Sequence, residues 1–103
     1  MAAYDLLISP SAAKDLDRIS RASDRRAVVR KITALATEPR PGGCRKLAGG
    51  DGWYRIRQGR YRIVYSVEDA RLVVLVIRIG DRKEVYRGLG DSSPGGRSRP
   101  FEP

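Results

Sequence analysis

The chain has 103 residues, enough for one domain with a modest core and too few for two. Twenty-one Lys and Arg stand against twelve Asp and Glu, giving a net charge of +9 and an isoelectric point near 10.4, a balance that attracts polyanions, either nucleic acid or an acidic protein surface. Histidine is absent and Cys44 is the single cysteine, which removes the usual general base, the usual metal ligand and any intrachain disulfide; no metal or cofactor is expected.

The start "MAAYDLLISP" lacks a basic segment followed by a long apolar run, so it does not read as a signal peptide, and no apolar run is long enough to span a membrane. A cytoplasmic protein is expected. "AYDLLIS" reads as a short strand in which Tyr4, Leu6 and Ile8 alternate with Asp5, Leu7 and Ser9. Ser9-Pro10 is a serine cap followed by a proline at the first helical position, and a helix over about 10–20 follows, with Ala12, Leu16 and Ile19 on one face and Lys14, Asp15, Asp17 and Arg18 mostly elsewhere. Ser23-Asp24 can cap a second helix over about 24–37, striped by Val28, Ile32 and Leu35, widened by Val29 and Ala36, and ended by Pro39 and Pro41-Gly42-Gly43. Such a helical hairpin needs a sheet to cover.

"WYRIR", a "QGR" turn, "YRIVYSV", an "EDAR" turn and "LVVLVIRI" supply three strands of that sheet. In the middle strand Tyr61, Ile63, Tyr65 and Val67 point one way and Arg62, Val64 and Ser66 the other. The third strand is apolar on both faces, as a central or doubly covered strand is. Gly80 is expected to break it before "DRKEVYR". From Gly88 the chain is mostly Gly, Pro, Ser and balanced charge, which reads as a flexible tail over 88–103 after a domain over 1–87 that carries all of the +9.

Arg55 and Arg57 are two apart on one strand and project together, and Arg62 projects from the adjacent strand away from the face that Tyr61 and Ile63 turn to the helices. Arg82 and Tyr86 follow the third strand and can reach the same surface. Guanidinium groups bind phosphate bidentately and aromatic rings stack on bases, so the set fits single-stranded RNA or another polyanion. Trp53 fits either a cap on the core or a stacking platform.

Three segments in this order, "SPSAAKDLDRI", "KLAGGDGWYRIRQGRYRIVYSVED" and "IGDRKEVYR", resemble the RelE/ParE superfamily of toxins from bacterial toxin–antitoxin pairs, and within it the RelE-like ribosome-dependent mRNA endonucleases. The resemblance covers residues 4 to about 87. It implies an α+β fold with two N-terminal helices packed on a small, mostly antiparallel twisted sheet. It implies a cytoplasmic toxin that cuts mRNA on the ribosome, with ribosome, mRNA and a cognate RelB-like antitoxin as partners. By the same resemblance Arg62 and Arg82 hold the scissile phosphate and its developing charge, Tyr86 stacks on a base or moves a proton, and Arg55, Arg57, Arg60 and Lys46 bind RNA.

Arg55 and Arg57 stand where the best-known members have lysines, and arginine does not serve as a general base. Many relatives carry histidine where Asp81 stands. Tyr86 remains as a base candidate; otherwise the site works by positioning and charge stabilisation. The alternatives are a ParE-like inhibitor of DNA gyrase on the same fold and a non-catalytic basic nucleic-acid-binding module.

Overall fold

The computed structural model describes residues 3–47 and 52–81. Arg82, Tyr86, Asp51 and the expected tail over 88–103 lie outside the described residues. Strand β1 (Asp5–Ile8) leads into helix α1 (Pro10–Asp17), helix α2 (Ala22–Ala34) and strands β2 (Arg45–Lys46), β3 (Trp53–Gln58), β4 (Tyr61–Glu68) and β5 (Val73–Asp81). The order across the sheet is β1-β5-β4-β3-β2. Only the β1–β5 pair is parallel; the three others are antiparallel. This is the expected α+β architecture, two helices on a mostly antiparallel sheet.

The Ser9 side chain accepts from the Ala12 N–H at 3.0 Å, and Pro10 occupies the first turn, so α1 begins as its sequence dictates. It stops at Asp17 rather than residue 20. Helix α2 starts two residues before the expected cap: Arg21 is its N-cap residue and makes no side-chain cap bond. Its last turn tightens, with the Leu35, Ala36 and Thr37 N–H groups bonded three residues back, so the helix ends at Ala34 rather than 37.

Strands β3 and β4 are joined by the two-residue loop Gly59-Arg60, with Gln58 paired to Tyr61. Gly59 has φ +62, which such a loop requires and glycine adopts without penalty. Gly80 does not break β5. It pairs with Arg62, and the strand runs on to Asp81.

The main core lies between helices and sheet. Val28, Ile32 and Leu35 of the α2 region meet Ile56, Ile63, Tyr65, Val74 and Val76. Tyr4 and Leu6 pack against it, but Ile8 is exposed at the edge, as is Val29 on α2. The opposite face of the sheet has its own small cluster, in which buried Val64 and Ile77 are flanked by Leu47, Trp53 and Leu75. A bulge explains the changeover on β5. Val64 pairs with Arg78 and Tyr65 with Val76, so Ile77 has no opposite number, and Ile77 and Arg78 both turn to the open face while Val76 and Ile79 face the core.

Candidate nucleic-acid interface

The register places three of the expected residues together. Arg57 and Arg62 are cross-strand partners, and Arg55 lies two residues from Arg57 opposite Val64. Paired residues share a face, and Val64 belongs to the cluster away from the helices. Arg55, Arg57 and Arg62 therefore line the open face. Gly80, opposite Arg62, adds no side chain, which leaves room above that guanidinium.

Two arginines join them that the sequence did not mark. Arg45 pairs with Arg55, and Arg78 pairs with Val64, so one row across four strands reads Arg45, Arg55, Val64, Arg78. Strand β2 has only two residues, too few for alternation to show Arg45's direction, and the bulge shifts Arg78 off simple period two. The row Arg57, Arg62, Gly80 lies beside it. Towards the other end of the face lie Trp53, Ser66 and Leu75, opposite one another in register. The partly buried Trp53 packs on the Val64–Ile77 cluster.

Lys46 and Arg60 stand apart from this group. Lys46 pairs with Tyr54, whose ring packs into the helix-side core, so Lys46 projects from that side. Arg60 sits in the β3–β4 turn and its Nη2 donates to Asp81 Oδ2 at 3.1 Å. Arg82 and Tyr86 follow Asp81, outside the described residues.

Among the described residues, carboxylates pair with Arg40, Arg60, Arg71 and Arg78. None pairs with Arg45, Arg55, Arg57 or Arg62. Cations held near one another without counter-charge repel, and an arriving anion relieves that repulsion. Arg78 is different: its Nε donates to Asp15 Oδ2 at 2.8 Å, which fixes its place at the margin of the face.

A polar network closes the far side of the molecule. Arg40 donates to both Asp69 oxygens and to the Tyr54 hydroxyl, and Tyr4 donates to Asp69. Arg40 and Tyr4 together hold the Asp69 carboxyl below its ordinary range, and the Asp69 bond pushes the Tyr4 phenol up. These contacts join the N-terminal strand, the loop after α2 and the β4–β5 turn, and they leave the arginine face unneutralised.

A small α+β fold whose sheet turns an unpaired arginine row to the open side is the framework of a toxin from a bacterial toxin–antitoxin pair. Residues 6–86 match the family model for the ParE toxin of type II toxin–antitoxin systems, and the chain belongs to this RelE/ParE superfamily. Toxin RelE of Mycobacterium tuberculosis is 30% identical over 84 residues, which is 82% of this chain and 87% of that protein. A mutant of Escherichia coli toxin RelE solved in the free state superposes with a TM-score of 0.68 at 33% identity, covering 82% of this chain and 90% of that one. The archaeal RelE–RelB complex from Pyrococcus horikoshii gives 0.69 at 28% identity, covering 79% and 97%. The chain is a type II toxin of this superfamily. Among the described residues no helix is long and apolar enough to cross a membrane.

Proposed function

We propose that this toxin is a ribosome-dependent mRNA endonuclease. The observation that carries the reading is the grouping of Arg55, Arg57 and Arg62 on one sheet face with no carboxylate partner among the described residues. In the proposed reaction the 2′-oxygen of a ribose attacks its neighbouring phosphate as the 2′-hydroxyl proton departs. A 2′,3′-cyclic phosphate forms, the bond to the 5′-oxygen breaks, and that oxygen gains a proton. Arg62, with Arg82, holds the phosphate and stabilises its added charge, and Arg55 and Arg57 position the strand. Tyr86 supplies the stack or the proton transfer. Arginine cannot act as a base, so the ribosome must supply much of the substrate geometry. Complexes of RelE with RelB among the solved relatives support a cognate RelB-like antitoxin as the partner of this chain.

The purified toxin should cut mRNA on ribosomes and cut free RNA poorly. Arg62→Ala should lose about a hundredfold to a thousandfold in cleavage rate and keep its circular dichroism spectrum, because Arg62 faces away from the main core. Rapid cleavage of naked RNA, or full activity in folded Arg62→Ala, would overturn the reading. The second reading is inhibition of DNA gyrase, favoured by the ParE description of the matching family; supercoiling assays with the same protein separate the two.

A further inference from the structure

A groove of about 490 Å3 opens at the β3 edge of the sheet, lined chiefly by Lys31 of α2, Gly42, Gly43, Arg45, Arg55 and Arg57. It exists because β2 is so short. Pairing with β3 stops at Arg45 and Arg55, and among the described residues no strand lies beside Arg57 on that edge. Gly42 and Gly43 keep the groove wide: a methyl group at either position would meet nothing within 4 Å. Four cations from three parts of the chain thus converge on one space, and none of them pairs with a carboxylate among the described residues.

We propose that this groove is a second phosphate subsite, which takes an RNA phosphodiester away from the one held at Arg62. The proposal rests on the RNA-cleaving reading for the identity of its ligand. Continuity of charge supports it. Arg57 and Arg62 are cross-strand neighbours, roughly 5 Å apart at Cβ, Arg55 lies about 7 Å along the strand from Arg57, and Arg45 is the cross-strand neighbour of Arg55. The cations therefore run in steps from the proposed scissile site round the sheet edge to Lys31. A phosphodiester needs only charge and donors there. A peptide also needs apolar pockets for its side chains, and Ile56 is the only hydrophobic residue in the lining. Phosphodiesters of the message and of ribosomal RNA share this chemistry.

The test uses the full chain with Lys31→Ala/Arg45→Ala and the charge-reversed pair Lys31→Glu/Arg45→Glu, with thermal melts to check folding. Neither position belongs to the proposed scissile site. Affinity is measured for a single-stranded RNA oligonucleotide and for ribosomes without message, each across a salt series, alongside cleavage on programmed ribosomes. The alanine pair should raise KM about tenfold at near-constant kcat and make the log–log salt dependence shallower by about 1.4, from two phosphate contacts at about 0.7 each. The reversed pair should weaken binding further. Loss with the oligonucleotide assigns the phosphodiester to the message, and loss with ribosomes alone assigns it to ribosomal RNA; either supports the subsite. Unchanged affinity and slope in both arms would overturn it, as would a loss confined to antitoxin affinity, which gives the groove to an acidic protein segment. If the wild-type chain fails to cleave while the binding arms respond, the cleavage reading falls and the subsite stands.

Discussion

Beyond Ile8 no strand covers the outer edge of β5, and Asp15 takes over there. The Ser9 N–H donates to the Val76 carbonyl at 2.9 Å, the Ser9 hydroxyl donates to the Ile77 carbonyl at 2.8 Å, and the Ile79 N–H donates to Asp15 Oδ2 at 2.9 Å. The same carboxylate accepts two bonds from Arg78 and is 7% exposed. One side chain thereby satisfies a buried backbone donor, neutralises a guanidinium and fixes α1 against the strand. Helical periodicity puts Asp15 with the polar residues of α1, because position alone cannot show that a strand edge waits to be capped. Asp15→Ala should destabilise the fold by roughly 2–4 kcal/mol, since it leaves an N–H without its acceptor and strands a partly buried charge. Asp15→Asn keeps one acceptor and should cost less. Urea unfolding of both variants checks the order, and an alanine variant as stable as wild type would refute this role.

Period two carries most of what the sequence shows about the elements. Along β4 the alternation of Tyr61, Ile63, Tyr65 and Val67 with Arg62, Val64 and Ser66 is borne out to the residue, because one face is buried against helices and a slip would invert every side chain. Features that need knowledge of the partner strand were not legible. The parallel docking of β1 on β5, the two-residue β2 and the Ile77 bulge leave no periodic trace, and Gly80 reads as a breaker although it serves as a strand residue. For the candidate site this means that Arg55, Arg57 and Arg62 could be read from alternation, whereas Arg45 and Arg78 could not. Side-chain ties across elements are equally hidden. The Tyr65 hydroxyl donates to the Pro39 carbonyl at 2.7 Å, pinning the loop after α2 to the central sheet. Burial first, and then nearby Cys44, pushes this phenol well above its ordinary value. A raised pKa in the folded state means that the neutral form is favoured there, so the contribution is intact below about pH 10 and is lost as pH rises further. Tyr65→Phe should lose about 1 kcal/mol near neutrality and show a weaker decline in stability above about pH 10. Denaturant unfolding at both pH values tests this; a decline as steep as that of wild type would show that other groups govern it.

At the scale of the whole molecule, charge is segregated. The Arg40–Asp69 pair and its tyrosines occupy one side, and the unpaired arginines occupy the open face and the β3 edge. For a chain of +9, a proposed antitoxin meets a directed positive field before it makes any contact. Such a field acts mainly on the rate of encounter, while rim charges add little to the final affinity. The Debye length falls from about 10 Å at 0.1 M salt to about 3 Å at 1 M, so steering over several side-chain lengths disappears across that range. Association with the cognate antitoxin should therefore slow by about tenfold or more from low to high salt, with the dissociation rate changing far less. Arg57→Ala removes an exposed charge without touching the main core, and it should reduce both the low-salt rate and its salt dependence. Stopped-flow association across a salt series, on wild type and this variant, measures each quantity. An association rate indifferent to ionic strength, or an antitoxin whose docking segment is itself basic, would show that the arginine face does not guide the partner.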